Sequence, residues 1–351
     1  ERERERERER ERMEIKLLSN RVKHEIVPDN YIYPVHQRPG IHASAWKQVP
    51  IINLAGDNQA DVSNQILSAG KDFGVFRVIN HGIPQQLIDD MLALAQEFFE
   101  MPAEDKAPYL SEDPTKEPRL FTGHRQGNIT PVCWRDCLFI PTYPVGKYEH
   151  LYPEKPNNLK ETMAKFTPEA RGLATRILKL ISVGLGLEED YLAGNRSGGP
   201  MKMLFNYYPP CPDPSLTLGI PRHCDPDLVT LLFQAKVSGL QVLHDDQWVS
   251  VDPLPSAIVV NFGHLFEVIS NGLLKAVEHR VVTNRNVART TVSVGIRSAD
   301  DCVIGPADAL ASDDSNPPLY RSFMFPEFVK AYTSNTTYDR EINMEAFKIK
   351  N

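Results

Sequence analysis

Between residues 201 and 296 the chain is broken into short runs rich in β-branched and aromatic residues, each closed by a turn containing Pro or Gly. The runs at 203–208, 228–234, 240–243, 248–251, 257–262, 280–283 and 291–296 read as strands. The break Tyr208-Pro209-Pro210-Cys211-Pro212 shows why they stay short: proline lacks a ladder donor, so no strand runs on through it. Many short strands at this spacing predict a sandwich or barrel, because each must bury one face against others. No internal repeat is visible.

The half before this region is organised differently. Residues 49–54 read as a first short strand, and Val62, Ile66 and Ala69 have helical spacing. Gly74 stops that helix, and 75–79 form a strand. Asn80-His81-Gly82 makes a turn, and Pro84 suits the first turn of the next helix, whose apolar stripe runs from Leu87 to Phe99. Residues 108–131 are punctuated by Pro and Gly around the apolar pair Leu120-Phe121. They read as a lid or binding loop, with a plain surface excursion as the alternative. Phe166, Ala170, Leu173, Ile177, Leu180 and Ile181 mark one face of a long helix that ends near Gly184-Leu185-Gly186 and supports the sheet.

Composition removes several classes of function. The formal net charge is -7, and no Lys/Arg block offers the basic surface that nucleic acid requires. No apolar run reaches the roughly eighteen residues of a membrane span. The first twelve residues alternate Glu and Arg; they read as an added tag, and their charges cancel. The start carries no secretory signal, and five cysteines are an odd number, so reduced thiols in a cytoplasmic protein are expected. Cys133 and Cys137 have no second pair to complete a zinc site and read as buried small hydrophobes.

Within this frame, His223-Cys224-Asp225 brings an imidazole and a carboxylate to one side of an extended chain. His279 lies 54 residues beyond Asp225. Two histidines and one carboxylate, with open positions opposite, suit non-haem iron(II). His-x-Asp alone is more often a satisfied surface or core histidine than a metal site. Arg289 follows His279 by ten residues, and Thr291 shares its face. A guanidinium fork beside a hydroxyl matches the distal carboxylate of a dicarboxylic acid.

These residues, in this order, resemble the plant 2-oxoglutarate/Fe(II)-dependent dioxygenases. Asn206-Tyr207-Tyr208-Pro209-Pro210-Cys211-Pro212, Val237-Ser238-Gly239-Leu240-Gln241, Val277-Glu278-His279-Arg280-Val281-Val282 and Arg289-Thr290-Thr291 carry the likeness. In the first half, Phe73-Gly74-Val75-Phe76-Arg77-Val78-Ile79-Asn80-His81-Gly82 extends it, so that it runs from about 48 to 333. Among subfamilies the chain looks most like hyoscyamine 6β-hydroxylase and the mugineic-acid-forming dioxygenases of grasses, through 101–106 and 301–307.

The resemblance implies a mainly β fold with flanking helices around a distorted double-stranded β-helix, or jelly roll. It divides the chain into the repeat 1–12, an arm 13–48, a helical and strand region 49–195, the jelly-roll core 196–300 and a C-terminal helical or lid segment 301–351. It implies iron on His223, Asp225 and His279, and 2-oxoglutarate held by Asn206, Tyr208, Arg289 and Thr291. The family usually has Ser at position 291; Thr keeps the hydroxyl. Dioxygen is then a co-substrate and ascorbate the expected reductant. The implied reaction hydroxylates, desaturates or epoxidises a small specialised metabolite, with an alkaloid as the expectation, and releases succinate and CO2. Asp225 favours hydroxylation, since related halogenases lack that carboxylate. Phe121, Phe139, Phe205, His264 and Phe323 are candidates for the substrate pocket by family position, although aromatic residues are commonly plain core. A monomer is expected, with no nucleic-acid or membrane partner. Two alternatives remain open: an oxidase of the same fold that does not use 2-oxoglutarate, and a non-catalytic small-molecule binding protein.

Overall fold

The computed structural model describes residues 17–20, 24–40, 47–125, 129–312, 315–334 and 344–350; the Glu-Arg repeat lies outside them. In chain order, the first half gives β1 (Ile51–Asn53), α1 (Gln59–Asp72), β2 (Val75–Ile79), α2 (Gln85–Glu100), α3 (Ala103–Lys106), β3 (Arg119–Thr122), β4 (Asp136–Tyr143), α4 (Val145–Tyr148) and α5 (Leu159–Gly184). The second half gives β5 (Met201–Tyr208), β6 (Leu218–His223), β7 (Val229–Gln234), β8 (Leu240–His244), β9 (Gln247–Ser250) and β10 (Ile258–Phe262). It continues with α6 (His264–Ile269), β11 (His279–Val282), β12 (Arg289–Ile296), β13 (Val303–Ile304), β14 (Phe323–Met324) and α7 (Phe325–Ser334).

Two sheets form the jelly-roll core. The major sheet has eight strands in the order β1-β2-β10-β7-β12-β5-β4-β3, and the minor sheet has four in the order β6-β11-β8-β9. Strands from the first half thus extend the same sheet as strands from the second. The turn from α1 to β2 shows how locally this is specified. Asn58 caps α1 by accepting from the Ala60 N–H at 3.0 Å. Gly74 then takes φ +70°, and a Cβ there would meet the Lys275 carbonyl at 2.5 Å, so only glycine turns the chain directly into β2.

Helices α1, α2 and α5 cover the outer face of the major sheet. Their apolar stripes and the outward residues of β5, β7 and β12 make the main core, in which Phe166 of α5 meets Phe233 of β7 edge-on at 4.8 Å. A smaller apolar cluster, including Leu232, Val259, Leu240, Val242 and Val249, closes one end of the space between the sheets. The rest of that space holds polar side chains beside a second small apolar cluster of Phe121, Cys137, Phe139 and Leu204. No helix among the described residues is long and apolar enough to cross a membrane.

All nine strands expected from the sequence are present, with ends moved by a residue or two. Strands β3, β4, β6, β13 and β14 are additional. The stretch expected as a loop over 108–131 contains β3, which pairs with β4. β4 holds Pro141 and β6 holds Pro221, and each proline sits where it costs little. β3 pairs β4 only as far as Phe139, so Pro141 has β5 on one side alone, beside a register shift. β6 is the edge of its sheet. Cys133 and Cys137 are buried free thiols, as expected.

Candidate active site

The three expected metal ligands come together at the mouth of the minor sheet. His223 ends β6 and His279 opens β11, and the antiparallel register makes them direct partners, with ring centroids 4.1 Å apart. Asp225 follows β6 in the bend before β7 rather than standing on an extended strand. Its Oδ1 lies 3.7 Å from His223 Nε2 and 3.6 Å from His279 Nε2. Among the described residues this is the one group of three His, Cys, Asp or Glu whose ligand atoms converge, all within 4.8 Å of one another.

The histidine protons are fixed by the backbone. Nδ1 of His223 lies 2.8 Å from the Pro221 carbonyl, and Nδ1 of His279 lies 3.0 Å from the Val277 carbonyl. A carbonyl only accepts, so each Nδ1 carries the proton and each Nε2 presents a lone pair to the gap. Burial, reinforced by the neighbouring His279, holds the His223 imidazolium well below its ordinary range. Burial alone would push Asp225 up, but His279 and His223 together pull its carboxyl below the usual value. The result is two imidazoles with Nε2 turned to the gap and one carboxylate, the donor set an iron(II) ion needs.

On the facing major sheet, register assembles the second half of the site. Arg289 and Thr291 of β12 stand directly opposite Tyr208 and Asn206 of β5, so all four side chains share one face. Arg289 is buried and anchored: Nε donates to the Val237 carbonyl at 3.2 Å and Nη2 to Gln234 Oε1 at 2.8 Å. Its guanidinium carbon sits 5.2 Å from the Tyr208 ring centroid. Nη1 is buried without a hydrogen-bond partner. An orphaned guanidinium donor is expensive, and a carboxylate oxygen would satisfy it. Asn206 Nδ2 reaches Thr291 Oγ1 at 3.4 Å, and Asn206 Oδ1 accepts from Arg135 Nη1 at 3.2 Å. The residues present therefore fit both iron and a dicarboxylic acid.

A cavity of about 130 Å³ opens beside the triad, lined by His223, Asp225, Arg125, Arg135, Phe139 and Tyr332 among others. Of the five pocket candidates, the structure brings only Phe139 into this lining. Phe121 borders a separate cavity. Phe205 is fully buried in the main core, because it alternates with Asn206 and Leu204 along β5 and faces the helices. Phe323 packs against Phe347 and Phe328 in the same core. His264 is buried at the start of α6, where its backbone N–H donates to the Asp225 carbonyl at 3.0 Å and its ring meets Phe328 and Tyr332 edge-on; it is not in the cavity lining. Arg125, Arg135, Lys202, Asp227, Arg297 and Tyr332 were not anticipated. The available signal was Arg135-Asp136, a buried charged pair opening an apolar run that Pro141 disguises as a loop.

Comparison with known proteins agrees with this geometry. Residues 200–298 match the family model of the 2OG-Fe(II) oxygenase superfamily. Residues 49–163 match that of the non-haem dioxygenase in morphine synthesis N-terminal region. Protein DOWNY MILDEW RESISTANCE 6 of Arabidopsis thaliana is 40% identical over 95% of this chain and 99% of its own length. Mugineic-acid 3-dioxygenase of Hordeum vulgare is 41% identical over 87% of this chain and 89% of its own. The crystal structure of JOX2 in complex with 2OG, Fe, and JA superposes with a TM-score of 0.84 at 30% identity, covering 95% of this chain and 96% of the other. Sheet topology, a converged ligand triad and relatives matched over nearly their whole length lead to one conclusion: the chain belongs to the 2OG-Fe(II) oxygenase superfamily and is a 2-oxoglutarate-dependent dioxygenase.

Proposed function

We propose that the protein hydroxylates a small specialised metabolite, with iron on His223, Asp225 and His279 and 2-oxoglutarate on Arg289, Thr291, Asn206 and Tyr208. The observation that carries this reading is the buried, partnerless Nη1 of Arg289, on the same sheet face as Asn206 and Tyr208. When bound, iron with 2-oxoglutarate supplies the oxygen chemistry: substrate C–H, O2 and 2-oxoglutarate give C–OH, succinate and CO2.

The chain's own contribution is position and dryness. The backbone carbonyls at Pro221 and Val277 keep both Nδ1 protons in place, so no proton competes for Nε2. Tyr332 donates its hydroxyl proton to the Cys224 carbonyl at 2.9 Å, which ties α7 to the bend between two ligands. Phe139 and the buried walls keep water from the reacting bond. Arg289, held at two of its nitrogens, fixes the distal end of the co-substrate and so the reach of its other end.

The alkaloid expectation has weaker support. The stretches 101–106 and 301–307 that carried it are scaffold. Lys106 is fully buried and donates to the Phe99 carbonyl at 2.5 Å and to Ser19 at 3.3 Å. Cys302, Ile304 and Ala307 belong to the main core. None of these residues lines the cavity, so their likeness to hyoscyamine 6β-hydroxylase says nothing of substrate.

The test is a screen of candidate metabolites with iron(II), ascorbate and 2-oxoglutarate, read by product mass. The expected product gains one oxygen, with succinate formed in proportion and only when substrate is present. Product formed without 2-oxoglutarate would instead support an oxidase that does not use it.

A further inference from the structure

The cavity beside the triad holds more positive charge than the reaction uses. Four cations line it: Arg125, Arg135, Lys202 and Arg297. Two of them are matched by carboxylates. Lys202 Nζ lies 2.6 Å from Glu117 Oε1, and Arg297 Nε lies 3.0 Å from Asp227 Oδ1. Arg135 donates to Asn206 Oδ1 and, at 3.0 Å, to the Gly123 carbonyl, both neutral acceptors. The Arg125 guanidinium carbon lies over the Phe139 ring, 3.9 Å from its centroid, and the guanidinium has no hydrogen bond or ion pair among the described residues.

Loading the site does not remove this excess. Iron(II) is offset by Asp225 and the chelating carboxylate, and the distal carboxylate offsets Arg289. Arg125 remains without a direct ion pair among the described residues. Burial, with Arg297 close by, pulls the Arg125 guanidinium down to about 10, and the carboxylates of Asp227 and Glu117, already paired with Arg297 and Lys202, offset this only in part. Guanidinium stays charged in proteins, so the mismatch persists until an anion arrives. An amine substrate, protonated at neutral pH, would be repelled.

We propose that the primary substrate carries a carboxylate, bound by Arg125 with Arg297 and Lys202 around it. The substrate's apolar body then rests on Phe139, Leu204 and Ile220, with its reactive C–H toward His223 and Asp225. Arginine offers the planar fork a carboxylate takes in two bonds, and Phe139 packs against that fork. This inference rests on the oxygenase reading above and names the substrate class for the same site.

Three probes of one shape and different charge test it: cyclohexanecarboxylate, its primary amide, and cyclohexylmethylamine. Each is titrated by calorimetry, without oxygen, into protein loaded with iron(II) and 2-oxoglutarate. The carboxylate is expected to bind at least about tenfold more tightly than the amide, and the amine not measurably, on the scale of a charge-assisted hydrogen bond. Arg125→Gln should erase the preference for carboxylate over amide, and Arg125→Lys should keep part of it. A carboxylate that binds no better than the amide or amine, or a preference that survives Arg125→Gln, overturns the proposal. Titration of 2-oxoglutarate alone into each variant is read first. If the unaltered protein does not bind it, the reading of the co-substrate site fails, and the substrate proposal falls with it.

Discussion

In each ligand histidine the two ring nitrogens have separate tasks, and mutation separates them. Nε2 faces the metal position, while Nδ1 is tied to a backbone carbonyl two residues earlier. His223→Ala and Asp225→Ala each remove a ligand and should reduce iron-dependent turnover at least about 100-fold. Arg289→Ala leaves the triad whole. It should raise the KM for 2-oxoglutarate by roughly 30- to 1000-fold, the range of about 2–4 kcal/mol for charge-assisted bonds, and move the primary substrate's KM far less. Equal effects on both KM values would remove the assignment. His124 supplies a prediction about pH. Burial pulls its imidazolium from 6.5 down to about 4, against the bond to the Pro131 carbonyl, so the folded chain keeps it neutral. The unfolded chain takes up its proton first as pH falls from 6.5 toward 4, so stability is lost over that window, by on the order of 3 kcal/mol from this group. Denaturation midpoints measured from pH 7.5 to 4.5 should show this slope, flattened in His124→Gln. Two parts of the proposed site were legible in the sequence because they are local, His223 and Asp225 two apart and Arg289 and Thr291 two apart; His279 stands 54 residues beyond Asp225 and was tied to them by the family resemblance.

At the scale of elements, strands bring distant residues opposite one another, and loops set how closely they approach. Gly239 leads into β8 directly against the co-substrate arginine. A Cβ there would lie 2.9 Å from Arg289 Cδ and 3.0 Å from the Val282 carbonyl, and neither can withdraw freely. Gly239→Ala should therefore cost about 1–3 kcal/mol as overpacking, read as a raised Kd for 2-oxoglutarate with iron affinity kept. Helix α5 acts from the other face. Phe166→Ala should lower unfolding free energy by about 3–5 kcal/mol, yet at low temperature leave the 2-oxoglutarate Kd near that of the unaltered chain, since Phe166 touches the sheet's outer side only. A co-substrate Kd that moved with the stability would mean the two faces are not separable. Elements with clean periodicity, such as α5 and β2, were readable. β4 and β6 were not, because a proline inside a strand is tolerated only at an unpaired edge, and edge position is a property of the sheet.

For the molecule as a whole, function lies in the space between two sheets that carry different chemistry. The minor sheet and the bend after it carry the three proposed metal ligands, and the major sheet carries the proposed co-substrate grip. Asp225, at the crossing from β6 to β7, joins the two. Arg125, Lys202 and Arg297 come from segments separated by roughly a hundred residues and meet only when the sheets close, which is why no spacing in the sequence disclosed them. The most direct measurement is an anaerobic titration of the purified chain with iron(II) and 2-oxoglutarate, followed by the visible charge-transfer absorption of the ternary complex. One iron and one 2-oxoglutarate should bind per chain, with no band in His223→Ala or His279→Ala and a band that needs far more 2-oxoglutarate in Arg289→Ala. A band of unchanged intensity without both imidazoles, or co-substrate affinity indifferent to Arg289, would contradict the proposed site.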